Sequence, residues 1–206
     1  MQRPKKTYEY NCLKFDIIIE LSEKYHDWHV IYTDGSKSDH GQGAAYYDSS
    51  ALAGSNRQGI FKIIGCVSIM YLELIAISEA LSYIIIRKSR KVVICSDSKS
   101  ALLHIARCAS ECRGTSIAYV ILSKIFDILA AGIELKLQWI PSHIGLRGNE
   151  KADCRAKQGI FEGMELTIEP NYTDLFPKYK NRCHLLWKEH FDSRSKLKGI
   201  WYKSIV

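Results

Sequence analysis

The chain has 206 residues, of which 47% are hydrophobic and 25% are charged, with 29 Lys or Arg against 22 Asp or Glu. Because both signs of charge are present in similar number and apolar residues are abundant, this composition excludes an intrinsically disordered chain. The length allows one domain of about 150 residues with an extension. The net charge of +7 favours a polyanionic partner such as nucleic acid, although solubility alone also accounts for it.

The first half of the chain predicts an antiparallel meander followed by a helix. Turn-forming residues separate three runs of strand-like composition, at Trp28–Thr33, Gly41–Tyr47 and Gly59–Gly65. Between Ile69 and Arg87 the apolar residues recur at steps of three and four, which predicts a helix.

The stretch Ile60–Ile86 is apolar enough to suggest a membrane span. However, Lys62, Glu73 and Glu79 interrupt it, and charges within a bilayer are costly. We therefore expect a strand followed by a buried amphipathic helix, and no membrane contact.

The second half predicts two further strands and three further helices. The β-branched run Lys91–Cys95 is typical of a strand buried on both faces, and Ser98 is a suitable N-cap for a helix that starts at Lys99. The remaining elements are a helix at Ser116–Ala131, a strand at Glu134–Ile140 and a helix at Gly148–Gln158. This order predicts an α/β fold with a five-stranded mixed sheet, in which three antiparallel strands are joined to parallel crossovers and helices flank the sheet.

The pattern divides the chain into three parts. We expect an N-terminal extension at 1–27, the main domain at 28–160 and a basic, partly helical C-terminal extension at 161–206, with a helix over Asn181–Lys196. Residues 176–206 contain eight Lys or Arg against two acidic residues, so they hold +6 of the total charge of +7. If the partner is nucleic acid, this tail is expected to contribute to binding.

The seven cysteines form no CxxC pair, and no signal peptide is recognisable at the N-terminus. Reduced thiols and an intracellular location, in the nucleus or the cytoplasm, are therefore expected, without secretion. His104, Cys108 and Cys112 recur every four residues, but on a straight helix such positions lie too far apart to bind one zinc ion. We expect most of these thiols to be buried and inert.

Four acidic residues are the candidates for chemistry. Asp34 and Asp97 each follow a predicted strand, Glu73 lies on the apolar face of the first helix, and Asp153 lies in the last helix. Each aspartate alone could be a turn or cap residue. If the four converge, they repel one another unless a cation binds, and hard oxygen ligands suit Mg²⁺ or Mn²⁺, with room for two ions about 4 Å apart.

The motifs around these acids resemble type 1 ribonuclease H. They are YTDGS at residues 32–36, ELIA at 73–76, SDSKSAL at 96–102 and WIPSHIGLRGNEKAD at 139–153. The ordered set covers about Trp28 to Gln158. The residues of the motifs at 96–102 and 139–153 resemble the ribonuclease H region at the C-terminal end of non-LTR retrotransposon polyproteins. This resemblance would place a reverse transcriptase module upstream.

The resemblance implies a ribonuclease H-like fold and an endonuclease that cleaves the RNA strand of RNA–DNA hybrids with two Mg²⁺ ions. By the same resemblance, Asp34 would bridge both metals, Glu73 and Asp97 would hold one of them, and Asp153 would help to hold the other. His143 would assist proton transfer or product release. Gly35 and Ser36 would contact the RNA strand.

Two other functions remain as hypotheses. A domesticated or decayed fragment of such an element would bind nucleic acid without cutting it. A DNA strand-transfer enzyme of the same fold is a further alternative, against which the helix-borne Glu73 and the His143 motif count. The sequence does not predict the oligomeric state.

Overall fold

The computed structural model describes residues 5–50, 57–87, 89–111 and 113–195. Within these ranges the chain forms helices and strands in the following order: α1 (Lys5–Lys24), β1 (His29–Ser38), β2 (Gly41–Asp48), β3 (Gln58–Ile64), α2 (Ile69–Arg87), β4 (Lys91–Ser96), α3 (Lys99–Glu111), α4 (Ser116–Ala130), β5 (Glu134–Trp139), α5 (Arg147–Glu162), β6 (Met164–Thr167) and α6 (Tyr172–Ser195).

The strands form one mixed sheet in the order β5-β4-β1-β2-β3-β6. β2 is antiparallel to both β1 and β3, whereas β4, β5 and β6 each pair in parallel with a neighbour. The predicted α/β class and its mixed sheet are confirmed, but the predicted strand number of five is wrong by one. The sixth strand is the four-residue β6, which pairs with β3 at one edge of the sheet.

The central strand β1 is longer than predicted. Its parallel pairing with β4 ends at the pair Thr33 and Ser96, but its antiparallel pairing with β2 continues to Ser38. The predicted end of the first strand at Thr33 is therefore wrong, since Asp34, Gly35 and Ser36 stay in the sheet. These residues no longer pair with β4 but still pair with β2. Asp34 therefore lies inside β1, at the point where β4 diverges from it.

Helices cover both faces of the sheet. Alternate β1 residues point to opposite faces of the sheet. Tyr32 therefore contacts Gly148 of α5 on one face, and Gly35 contacts α2 on the other. α5 packs on β1, β2 and β3 on one face, and α2 packs on β1 and β2 on the other, beside α4 and α3. Gly43 allows α5 to approach closely, because a Cβ there would lie 2.1 Å from the carbonyl oxygen of Ala156.

Helix α2 is the one helix in the described ranges that is long and apolar enough to cross a membrane. Most of it is buried against the sheet and its neighbouring helices, including Leu72, Leu74 and Leu81, which are fully buried. A core helix passes the same length and composition test, so these two properties alone do not indicate a membrane span.

Helix α1 is not predicted from the sequence, where residues 1–27 are expected to form an extension. Its C-terminal half and the turn that follows pack against the sheet. Tyr25 is 4% exposed and belongs to a buried cluster with β4 and the segment after β5, and Ile17 and Leu21 of α1 pack against the same cluster.

The chain divides into two compact units. The first comprises residues 1–64 and 68–168, and the second comprises residues 65–67 and 169–206. Within the second unit, α6 contains the helix expected at Asn181–Lys196, except for Lys196, which lies outside the described residues. The predicted domain boundaries at 27/28 and 160/161 stay predictions.

The cysteines with described side chains, Cys66, Cys95, Cys108, Cys154 and Cys183, are free thiols. Among them Cys95 and Cys108 are buried, whereas Cys66, Cys154 and Cys183 are exposed, so the expectation that most thiols are buried is wrong for the described cysteines. The Nε2 atom of His104 lies 3.1 Å from the Thr115 hydroxyl. His104 therefore has a structural partner that links α3 to the start of α4. Cys112 lies outside the described residues.

Candidate metal centre

The end of the parallel ladder brings three carboxylates together. Asp34 follows Thr33 on β1, and Asp97 follows Ser96 at the end of β4, so the register of the two strands makes them neighbours. Glu73 reaches the same place from the second turn of α2. One carboxylate oxygen from each of the three lies within 4.8 Å of the other two.

Glu73 is almost completely buried. Its side chain is 6% exposed and accepts a hydrogen bond from the backbone N–H of Gly35. Its Oε2 atom has no hydrogen-bond partner among the described residues. Gly35 makes this approach possible, because a Cβ at that position would lie 2.8 Å from the backbone nitrogen of Glu73 and from the Cβ of Leu72.

The electrostatics of the cluster favour protonation in the absence of a cation. Burial, reinforced by the neighbouring charges of Asp34 and Asp97, raises the pKa of Glu73 to about 9. Burial also raises the pKa of Asp34 to about 7, with contributions from Asp97 and Asp153 and an opposing effect of Lys157. These shifts mean that the native site holds its negative charges at a free-energy cost.

Asp97 is oriented by two partners from the β5–α5 region. The Asn149 side-chain Nδ2 donates a hydrogen bond of 3.1 Å to Oδ2 of Asp97, and the Trp139 indole N–H donates one of 3.1 Å to the Asp97 carbonyl oxygen. Ser98 caps α3 as predicted, since its carbonyl oxygen accepts from the Leu102 N–H and its Oγ accepts from the Ala101 N–H. The side chain and the backbone carbonyl of Asp97 are therefore both held in place.

Asp153 lines the same cleft from α5 but lies outside the three-carboxylate cluster. Lys157, one turn later on α5, donates a hydrogen bond of 2.7 Å to its Oδ2 atom. This interaction raises the pKa of Lys157. Of the four predicted acids, the structure therefore brings three into direct proximity and places the fourth on the cleft wall, paired with a lysine.

The cleft has a volume of about 330 Å³ and is open to solvent on one side. Apart from the acids, its lining is mainly small and polar, but Ile69 and Met70 form an apolar wall; the lining residues include Gly35, Ser98, Ser100, Ser142 and His143. His143 has a left-handed backbone, with φ of 56°. Ser36 is half-buried on β1, one residue beyond the lining.

The residues fit a divalent cation. Carboxylate oxygens are the hard ligands that Mg²⁺, Mn²⁺ and Ca²⁺ prefer. The buried Oε2 of Glu73 has no donor in the part of the chain that the structure describes, and a cation would satisfy it and relieve the repulsion among the three acids. Asp34, Glu73 and Asp97 are therefore the residues that can hold a metal ion.

Three residues that support the acids, namely Trp139, Asn149 and Lys157, are not predicted from the sequence. Trp139 and Asn149 lie within the motif at 139–153, but nothing in their spacing indicates that both reach Asp97. Lys157 could have been found, since a lysine four residues after an aspartate on a helix is a favourable ion-pair spacing.

A family model described as RNase H matches residues 26–161. Solved structures also match the chain. The crystal structure of RNase H1 from the halophilic archaeon Halobacterium salinarum NRC-1 is 16% identical, with a TM-score of 0.47, and the match covers 64% of this chain and 96% of that one. No curated protein sequence matches the chain.

Proposed function

Since the chain belongs to the RNase H family and is a ribonuclease H enzyme, we propose that it cleaves the RNA strand of an RNA–DNA hybrid by two-metal-ion hydrolysis. The observation that carries the mechanism is the cluster of Asp34, Glu73 and Asp97 in an open cleft, where a buried Glu73 oxygen has no donor among the residues described. Such a cluster is unfavourable without a cation and complementary to one.

In this proposal Asp34, Glu73 and Asp97 would hold the ions, with Asp153 as a further ligand from the cleft wall. Mg²⁺ is the expected ion and Mn²⁺ a possible substitute. When bound, the cations neutralise the charge that develops on the scissile phosphate and make the attacking water more acidic. Asn149 and Trp139 keep Asp97 in orientation, and Lys157 offsets the negative charge of Asp153.

The reaction is the hydrolysis of a phosphodiester. Water attacks the phosphorus atom, the bond from phosphorus to the 3′-oxygen breaks, and the products are a 3′-hydroxyl and a 5′-phosphate. The attacking water loses a proton and the leaving oxygen gains one. His143, exposed at the mouth of the cleft, is the residue that we assign to proton transfer or product release, because an imidazole can exchange protons near neutral pH.

The hybrid is expected to be recognised through its RNA 2′-hydroxyls in the shallow minor groove. Gly35 and Ser36 are assigned to this role because β1 carries them at the edge of the cleft. The apolar wall formed by Ile69 and Met70 offers no side-chain hydrogen bonds there, so backbone groups and the nearby serines must supply the polar interactions.

The proposal is tested with an RNA strand labelled at its 5′ end and paired to DNA, incubated with the full chain and Mg²⁺. We expect cleavage of the RNA in the hybrid, no cleavage of duplex DNA, and no activity in EDTA. Asp97→Asn should abolish cleavage, whereas the matched control Asp127→Asn, on the exposed surface of α4, should not change it. Cleavage that persists in Asp97→Asn would contradict the proposed site.

The alternative of a binding remnant predicts that the hybrid binds at low salt without being cut, so the same assay with a filter-binding readout separates the two. We also propose that the domain derives from a non-LTR retrotransposon polyprotein, which is supported by the wording of the motifs at 96–102 and 139–153. A reverse transcriptase reading frame in the same transcript would support this origin, and an unrelated upstream sequence would contradict it.

A further inference from the structure

The segment that carries His143 has an unusual backbone. Between the end of β5 and the start of α5, His143 has φ of 56° and Gly145 has φ of 72°. A left-handed conformation is unfavourable for a residue with a Cβ and persists where the surrounding structure enforces it. We call residues 141–146 the His143 loop.

Apolar anchors on both sides of His143 provide this constraint. Ile140 precedes the His143 loop and is 1% exposed, and Ile144 and Leu146, within the loop, are each 4% exposed. All three belong to the buried cluster that contains Tyr25. The conformation of the exposed histidine thus depends on side chains that are buried beneath it.

Helix α1 packs against that buried cluster. Leu21 and Ile17 of α1 pack against it. Both also line a surface pocket with Pro141, which is separate from the cleft that holds the acids. The side chain of Lys14 also lies over the His143 loop, since a Cβ on Gly145 would come within 2.8 Å of its Nζ atom.

A polar chain connects the end of α1 to the end of β5. The Tyr25 hydroxyl and the Lys24 ammonium both donate to Oε1 of Gln138, at 2.7 and 2.9 Å. The Gln138 amide in turn donates to the Trp139 carbonyl oxygen at 2.8 Å. The strand end from which the His143 loop departs is therefore fixed by hydrogen bonds as well as by packing.

These interactions lead to a role for a segment that precedes the family match, which begins at residue 26. We propose that α1 together with Tyr25 is a positioning element that holds the His143 loop in its catalytic conformation. This inference rests on the proposed function, because His143 matters only if the cleft cuts phosphodiesters. Leu21 and Tyr25 are positioning residues, since they act through the His143 loop and do not face the cleft.

The test uses Leu21→Ala and Tyr25→Phe in the full chain, with Ile19→Ala as the matched control on the exposed side of α1, where Ile19 is 52% exposed. Each substitution is made in the wild type and in His143→Ala. We expect Leu21→Ala and Tyr25→Phe to lower kcat on the hybrid by about threefold or more, with little change in KM, because groups coupled in one packed network interact to this extent. In the His143→Ala background the same changes should cause no further loss.

An equal loss of kcat in both backgrounds would show that the two residues merely support the fold, and would overturn the proposal. No loss in the wild-type background would overturn it as well. Hydrogen exchange of the peptide that contains residues 142–146 gives a readout that does not depend on activity. Exchange should be faster in Leu21→Ala than in Ile19→Ala, and equal exchange would contradict the proposal. This readout holds even for a protein that cleaves no hybrid. A lack of cleavage would separately reject the proposed function.

Discussion

Replacement of Glu73 by glutamine is expected to stabilise the metal-free protein. Glu73 is buried beside Asp34 and Asp97, and its pKa is raised from 4.5 to about 9. An acid whose pKa is higher in the folded state binds its proton more tightly there than in the unfolded chain. The free energy of unfolding should therefore decrease as the pH rises from about 4.5 towards 9.

The size of the effect follows from the same shift. At pH 7 the unfolded glutamate is ionised, because this pH lies 2.5 units above its ordinary pKa of 4.5. In the native site the raised pKa disfavours ionisation across that whole interval. At 1.36 kcal/mol per unit, this corresponds to roughly 3 kcal/mol of destabilisation at pH 7. Glutamine removes the charge, can accept the Gly35 N–H through its carbonyl oxygen, and can donate its amide hydrogens to the carboxylates of Asp34 and Asp97.

The assay is thermal unfolding in EDTA across a pH series from 5 to 8. For a chain of this size, about 3 kcal/mol corresponds to a Tm that is higher by roughly 6–12 °C in Glu73→Gln at pH 7. The difference should be small at pH 5 and should increase with pH. Added Mg²⁺ should raise the Tm of the wild type more than that of the variant, since a ligand that binds the folded state more tightly stabilises it more.

Glu20→Gln, at an exposed position of α1, is the matched control and should leave the Tm and its pH dependence unchanged. The reasoning would be refuted if Glu73→Gln were no more stable than the wild type at pH 7 in EDTA. A stability gain of the same size at pH 5 and pH 8 would also refute it, because the gain would then not arise from ionisation.

Three further predictions concern the cleft and the tail. Asn149→Ala removes the donor to Asp97 and should reduce Mg²⁺ affinity or activity by about 10- to 100-fold, as is usual for a residue that orients a metal ligand; a metal titration of activity that matches the wild type would contradict this role. His143→Ala should lower kcat by about 100-fold while Mg²⁺ affinity, measured by calorimetry, stays unchanged, and a wild-type kcat would exclude proton transfer at this residue. Deletion of residues 176–206 should weaken hybrid binding, while cleavage at low salt continues. The slope of log K against log salt should become shallower by about one for each phosphate that the tail neutralises. Unchanged binding would show that the tail does not touch the hybrid.

Much of the fold could be predicted because its signals are local. The helix over Ile69–Arg87 shows strong periodicity, and the strand Lys91–Ser96 is a continuous β-branched run. β6 could not be predicted, since four largely exposed residues carry no period and become a strand only by pairing with β3. Helix α1 could have been found from the spacing of Ile17, Leu21 and Tyr25, which recur every four residues on one face.

The candidate site was predictable in its members but not in its arrangement. Asp34, Glu73 and Asp97 could be chosen because acids at strand ends and on an apolar helix face require compensation. The pairing of Asp153 with Lys157, and the hydrogen bonds from Asn149 and Trp139 to Asp97, depend on how α5 and β5 pack beside β4. Such interactions between distant segments have no signature in a single sequence.

The sheet order also bears on how the protein is made. β1, β2 and β3 follow one another in the chain, so the antiparallel part of the sheet is synthesised before β4 and α5. The site needs β4 to pair with β1 across an intervening helix, and Asp97 receives its Asn149 partner only after α5 emerges. A chain that ends before α5 lacks the Asn149 donor to Asp97, so we expect the metal centre to be complete only when synthesis of the domain is nearly finished.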